Sequence, residues 1–431
     1  MAALTALAWI VRPQFLVERV RSAVYTLLGQ GVALVAEARP TLRDGLQPLL
    51  REVGPLGLLA LPLLGAMAWI ALRTKARSLS LVAGTGLAMY IGTLAQERMS
   101  IYGAVSLALL AGWFWVEATA ARSPAARWLR GAVAAALLYG FGLYLAPKLA
   151  AYQQGMSPEW RQATEWLRTA TPDPLGDPRA FWRDYAKPAS GQSFPYPPSA
   201  YGVGVWWDLG YFVLAEGHRP PTSNGTQSGA VDTAAFYLQS DNAAALEALD
   251  SQGTRYVIAD DTLPLLQPGS DPDTGEITAM MGWTRDPLGR YFKLVELPLG
   301  EGAVKPVLIF LPSYFKTMGM RLYLHDGQTY EPSNATTVFS LREGKGPLER
   351  ISSQRTFPTY EEAQRYLEAR PGQDLLLGTL NPLKSCVPLT PARGLRKVFD
   401  SGPESLVGDD GTMHAIKIFE RTGEPAGVAS E

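Results

Sequence analysis

Val53-Gly-Pro-Leu-Gly-Leu-Leu-Ala-Leu-Pro-Leu-Leu-Gly-Ala-Met-Ala-Trp-Ile-Ala-Leu72 contains no charged residue. Its length matches a helix crossing the hydrocarbon core of a bilayer, which takes about 20 apolar residues. Ser78–Gln96, Met99–Val116 and Gly131–Pro147 are also free of charge. Four transmembrane helices are therefore expected, the last one short. The competing explanation, four buried helices of a soluble protein, fits poorly with a first third this apolar.

The near-zero net charge hides two unlike stretches. Residues 1–150 hold 14 Lys and Arg against 6 Asp and Glu, whereas residues 151–431 hold 25 against 34. Short loops rich in Lys and Arg stay in the cytoplasm. Arg73, Lys75 and Arg77 follow the first span, and Arg122, Arg127 and Arg130 separate the third from the fourth, so both loops are expected there. Residues before Val53, the Gln96-Glu97-Arg98 turn and everything after Pro147 then face the non-cytoplasmic side. Glu37, Arg98 and Trp206-Trp207-Asp208 would share that face. Leu4–Val11 has no basic stretch before it, so it does not read as a secretory signal.

The chain divides, on this reading, into four parts: residues 1–52 as an N-terminal segment and external loop, 53–149 as the transmembrane helices, 150–290 as a helical core, and 291–431 as a mainly β region. The expected fold class is thus a membrane protein with about four transmembrane α-helices and a mixed α/β exported soluble domain. Ser157–Thr169 has Trp160, Ala163 and Trp166-Leu167 at helical spacing, with Ser157 placed as its cap. Seven prolines between Thr171 and Ala200 mark a long loop. Beyond it the sequence predicts helices over Trp206–Glu216 and Asn242–Gln252, then a short strand, Arg255–Ala259, running into Asp260-Asp261. From about Tyr291 alternating and β-branched runs predict strands over Val307–Leu311, Thr336–Leu341 and Ala415–Phe419, interrupted by a helix over Thr359–Arg370. No zinc, phosphate-loop or dinucleotide motif occurs, and no nucleic-acid partner is expected. One cysteine, Cys386, rules out an intrachain disulfide framework, compatible with a prokaryotic exported domain stabilised by the size of its core.

Trp206-Trp207-Asp208-Leu209-Gly210 is the motif that carries chemistry. Two indoles exclude water and a lone carboxylate accepts a hydrogen bond from a small hydroxyl, so such a pocket suits Ser or Thr. A tryptophan pair by itself also serves as a core or interfacial anchor. The motif resembles the Trp-Trp-Asp-Tyr-Gly signature of the oligosaccharyltransferase catalytic subunit, with Leu209 where that family usually has Tyr. Other pieces fall in the family's order. Val35-Ala36-Glu37-Ala38-Arg39-Pro40-Thr41 is similar to its external-loop segment, and Gln96-Glu97-Arg98-Met99-Ser100 to its short turn with a diphosphate-binding Arg. Ala234–Leu238, Gly253–Asp261 and Met320–Gly327 resemble the family's segments downstream of the signature, leaving residues 330–431 as a variable tail. Two features depart from the pattern. Asp273-Thr274-Gly275-Glu276 puts an acid where the family's Asp-x-x-Lys motif has a base, although Ile277 also fits a Met/Ile variant. No Asp-x-Asp precedes Glu37 to supply the family's acidic first loop.

The resemblance implies a glycosyltransferase, specifically the C-terminal part of an oligosaccharyltransferase. Such an enzyme moves a lipid-diphosphate-linked oligosaccharide onto Asn of Asn-x-Ser/Thr sequons in an acceptor polypeptide. Glu37 would be catalytic and would share a divalent cation, Mg²⁺ or Mn²⁺, with residues outside this chain. Arg98 would hold the diphosphate, and Trp206, Trp207 and Asp208 would read the sequon. The partners implied are the lipid-linked oligosaccharide, the acceptor chain, the membrane and an N-terminal membrane half. Localisation would be the prokaryotic cell membrane. The alternative is a membrane-tethered peptide-binding or scaffold protein without transferase activity.

Overall fold

The computed structural model describes residues 50, 55–95, 100–151, 156–186, 188–189, 194–264, 276–300, 303–344, 347–402 and 415–423. Two compact units emerge, Met1–Gln154 and Gly155–Glu431. In the first, a 3₁₀ turn, Pro55–Leu59, leads into α1 (Ala60–Thr74), followed by α2 (Arg77–Ala95), α3 (Ser100–Ala120) and α4 (Pro124–Ala151). Gly57–Thr74, Arg77–Ala95 and Tyr102–Ala120 are long and apolar enough to cross a membrane. The fourth expected segment, Gly131–Pro147, lies within the 28 continuous residues of α4.

Helices in lipid gain little from packing leucine on leucine, so small residues and polar contacts bring them together. Gly86 on α2 shows both effects. A Cβ there would meet Leu64 Cδ2 of α1 at 2.7 Å, and its carbonyl accepts the Ser106 hydroxyl of α3 at 2.9 Å. Leu64, Met67, Tyr90, Leu110 and Leu137 fill the space between the helices. Trp69, Leu72, Leu81, Ile91, Trp115 and Val116 stay exposed.

The second unit opens with α5 (Pro158–Ala170), whose Ser157 cap accepts the Trp160 N–H at 3.2 Å as expected. After the proline-rich loop come β1 (Gly202–Gly204), α6 (Gly210–Ala215), α7 (Ala230–Leu238), α8 (Asn242–Ser251), β2 (Thr254–Ala259) and α9 (Glu276–Thr284). The remainder is β3 (Phe292–Gly300), β4 (Ala303–Phe310), α10 (Pro312–Lys316), α11 (Met318–His325), β5 (Thr336–Glu343), β6 (Glu349–Phe357), α12 (Tyr360–Glu368), β7 (Leu375–Gly378), β8 (Leu395–Asp400) and β9 (Lys417–Arg421).

One sheet has the order β1-β2-β9-β8, the other β4-β3-β6-β5-β7. β1 runs parallel to β2, and β9 lies antiparallel to β2 with Val257 opposite Phe419. Successive strand residues face opposite sides, and both sides of β2 are covered. Tyr256 and Ile258 pack with Trp160 and Leu167 of α5, while Val257 and Ala259 join the main core with Phe236, Met280, Phe315 and Phe419. That two-sided burial explains the unbroken apolar run Tyr256–Ala259. The 330–431 tail therefore contributes to the core of the 150–290 stretch through β9. α10 and α11 add helix to a region whose sequence predicted strands.

Arg219 ties α5 to this core. It is 4% exposed, and its guanidinium donates to the Thr171 hydroxyl and carbonyl at 2.8 Å each and to Arg168 O at 3.1 Å. The charge is thus met by backbone and hydroxyl acceptors, including orphan carbonyls at the end of α5.

Candidate functional site

Three local constraints shape the Trp206 turn. Pro220–Thr222 runs beside β1: Val203 N–H donates to Pro220 O at 2.8 Å, and Thr222 N–H to Val203 O at 2.9 Å. Ser223, fully buried, donates its hydroxyl to Val205 O at 2.6 Å. Gly210 then passes so close to this segment that a Cβ would lie 2.2 Å from Ser223 O, which leaves room for glycine alone.

The helix expected to start at Trp206 starts at Gly210 instead. Val205 O accepts the Ser223 hydroxyl rather than a helical N–H. Leu209 N–H closes a tight turn onto Trp206 O at 3.1 Å. The two indoles separate in role. Trp206 is 3% exposed and belongs to the main core. Trp207 packs against that core only partly, 6.2 Å from Trp206 between ring centres. Its buried Nε1 has no hydrogen-bond partner among the described residues. Asp208 is exposed, and Leu209 packs into the layer that holds Trp160 and Phe212.

β2 delivers the second acidic group. Asp260, the residue after the strand, is 3% exposed. Its Oδ1 accepts the Thr262 hydroxyl at 2.7 Å and the Thr262 N–H at 3.3 Å, whereas its Oδ2 has no partner among the described residues. α9 begins at Glu276, whose N–H donates to Thr262 O at 3.4 Å. The Tyr237 hydroxyl donates to Ile258 O from α7.

Burial, then the negative charges of Asp261 and Asp208, push the Asp260 carboxyl up to about 7. Burial, then Asp260 and Asp208, push Glu276 well above the usual carboxylate range. Tyr237 is raised by burial and by the charges of both acids. Asp208, Asp260, Asp261 and Glu276 therefore sense one another. The arrangement has complementary abilities: an exposed carboxylate that accepts hydrogen bonds, and a buried Asp260 and half-buried Glu276 that hold their protons to higher pH than ordinary carboxyls and can donate them.

Asp260 and Glu276 carry no assigned role in the sequence reading. The available signal was the buried apolar strand running straight into two acids, since ligand sites gather at the carboxyl ends of such strands. Glu37, Arg98 and Asp273 lie outside the described residues. Among the described residues, no set of three or more His, Cys, Asp or Glu side chains is placed to hold a metal ion.

Residues 157–264, the stretch from α5 through β2 and the acidic pair, match the AglB core domain family. The chain resembles the C-terminal half of an oligosaccharyltransferase catalytic subunit. A curated relative, dolichyl-phosphooligosaccharide-protein glycotransferase 3 of Archaeoglobus fulgidus, is 28% identical over 210 residues, covering 42% of this chain and 23% of that protein. An archaeal oligosaccharyltransferase AglB from the same organism, solved with an inhibitory peptide and a dolichol-phosphate, shares the fold. Its TM-score is 0.58 at 19% identity, over 97% of this chain and 52% of that one. An Archaeoglobus fulgidus oligosaccharyltransferase in complex with Zn and sulfate matches with a TM-score of 0.50 at 18% identity, over 97% of this chain and 53% of that one. This chain thus spans about half the length of these solved structures. With its apolar helices and these relatives, it is an integral membrane protein.

Proposed function

We propose that this chain is the C-terminal part of an oligosaccharyltransferase, transferring a lipid-diphosphate-linked oligosaccharide to Asn in Asn-x-Ser/Thr sequons. The observation that carries the reading is the turn in which Trp206 is locked into the core while Asp208 is exposed at its tip, inside the stretch that matches the AglB core. Once the bound peptide shuts water out, a carboxylate beside an indole reads a hydroxyl, because a substrate without that hydroxyl leaves the carboxylate unpaired. Asp208 accepts the sequon hydroxyl, Trp207 walls the pocket from water, and Trp206 positions both.

The remaining roles belong to residues outside the described set. An amide nitrogen is a poor nucleophile, so carboxylates must accept its protons; Glu37 is one of them. Arg98 offsets the charge of the departing diphosphate. A divalent cation, Mg²⁺ or Mn²⁺, would stabilise that diphosphate when bound, held by Glu37 with carboxylates beyond this chain. α4 serves as a fourth span, and residues 150–431 lie on the non-cytoplasmic face of a prokaryotic membrane.

Peptide binding tests the reading. An Asn-x-Thr peptide is expected to bind the purified chain more tightly than Asn-x-Ala by about 1.5–3 kcal/mol, the contribution of a hydrogen bond to a charged group. Asp208→Ala should erase the difference. Equal binding of the two peptides by the unaltered chain removes the sequon-reading role. Preference for the threonine peptide without glycan transfer, even when the missing carboxylates are supplied on a second chain, would favour a peptide-binding module instead.

A further inference from the structure

At the Gly202 end of β1, the end opposite the Trp206 turn, lies a cavity of about 360 Å³ lined by Tyr196, Tyr201, Thr222, Asp232, Gln252 and neighbouring prolines and glycines. The volume falls at the lower end of the roughly 300–1,000 Å³ of small-molecule sites, and it exceeds what one amino-acid side chain fills. Two tyrosines give it an aromatic wall. Tyr196 is 58% exposed, and its ring is braced by Phe194 at 4.7 Å, which packs on Tyr185 at 5.1 Å. The Tyr201 hydroxyl is engaged by Pro172 O at 2.5 Å and by Thr171 at 3.0 Å, so Tyr201 offers the cavity its ring.

The polar lining accepts hydrogen bonds. Asp232 supplies an exposed carboxylate. One Gln252 Nε2 hydrogen is donated to Ala248 O at 3.1 Å, which leaves its Oε1 as an acceptor and a second N–H. The Thr222 hydroxyl donates to Val203 O at 3.4 Å, which leaves its lone pairs. Among the described residues, no Lys, Arg or His lines the cavity. Such a wall rejects phosphates and carboxylates. A cationic side chain would satisfy Asp232 but leave most of the volume and the other acceptors unmet. A pyranose ring matches every part, with several hydroxyl donors around its rim and an apolar C–H face for an aromatic ring.

We propose that this cavity binds one residue of a neutral carbohydrate, stacked on Tyr196 and hydrogen-bonded to Asp232 and Gln252. The proposal rests on the cavity's own chemistry and not on the role assigned to Asp208. The test uses the full chain in a detergent without a sugar headgroup. Saturation-transfer NMR with methyl β-glucopyranoside, methyl α-mannopyranoside and the methyl glycoside of N-acetylglucosamine should reveal saturable binding of at least one. Asp232→Asn and Tyr196→Ala should each weaken it by about tenfold, with unchanged melting temperatures because both side chains are exposed. Sequon-peptide binding should be unaltered in Asp232→Asn, so each proposal can fail without the other. Absence of saturable binding for all three glycosides, binding unaltered in both variants, or displacement of the glycoside by N-acetylarginine amide would overturn the assignment.

Discussion

The Trp206–Gly210 turn and the Asp260/Glu276 corner hold acids that sense one another, yet the two regions are built in opposite ways. In the turn the hydrophobic residue is sunk and the acid is held out: Trp206 is 3% exposed and Asp208 is exposed. In the corner the acid itself is sunk, with Asp260 at 3%. A carboxylate kept in water stays ionised and ready to accept, whereas one drawn out of water holds its proton unless it is paired. One element thus presents charge and its neighbour suppresses charge.

The contrast within the tryptophan pair gives the largest expected effect. Trp206→Ala leaves a cavity in the main core and should cost about 3–5 kcal/mol of stability, seen as a large fall in the melting temperature of the purified protein. Trp207→Ala removes a half-buried ring and should lower the melting temperature far less while weakening sequon-peptide binding. Equal losses of stability in the two variants would break the division between anchor and pocket wall.

The buried acid supplies the second test, with the sign fixed by its raised pKa. Below about pH 4 both folded and unfolded chains hold the Asp260 proton, so the group has no effect on stability. Between there and about 7, its folded value, the unfolded chain has released the proton and the folded chain has not. Stability therefore falls as pH rises through that window and levels off above it. The full loss is of order 4 kcal/mol. Asp260→Asn should flatten the slope, and a slope that persists unchanged in this variant would assign it to other groups.

How much of this was readable in the chain depends on how local the cause is. The membrane helices were legible because lipid imposes a charge-free run on each, and the Ser157 cap because its partner, Trp160, is three residues away. The start of α6 was not legible from Trp206–Glu216 alone, because the turn before it is shaped by contacts with Pro220–Ser223, far along the sequence. β9 pairs Ile418 with Ile258, a register set by a core to which the tail contributes Phe419, and no local pattern announces it. The same limit applies to the acids. Asp208 could be picked out by its indoles, but the burial of Asp260 and the partial burial of Glu276 depend on α7, α9 and α11 packing at the end of β2.

The smallest expected effect couples the two regions directly. Asp208 contributes to the raised values of Asp260 and Glu276, but it ranks behind burial for both and behind a neighbouring acid as well. Because Asp208 is exposed, water and salt screen much of its field. Asp208→Asn should therefore lower the titration midpoint of the buried pair by less than about one pH unit, followed through the fluorescence of the adjacent Trp207. The direction is downward because removing a negative neighbour makes ionisation easier. The shift should shrink as ionic strength rises, since the Debye length falls from about 10 Å at 0.1 M salt to about 3 Å at 1 M. A midpoint that moves by several units would mean that Asp208 is drawn into the buried pair and shares its proton. An unmoved midpoint at low salt would mean that the turn and the corner act independently.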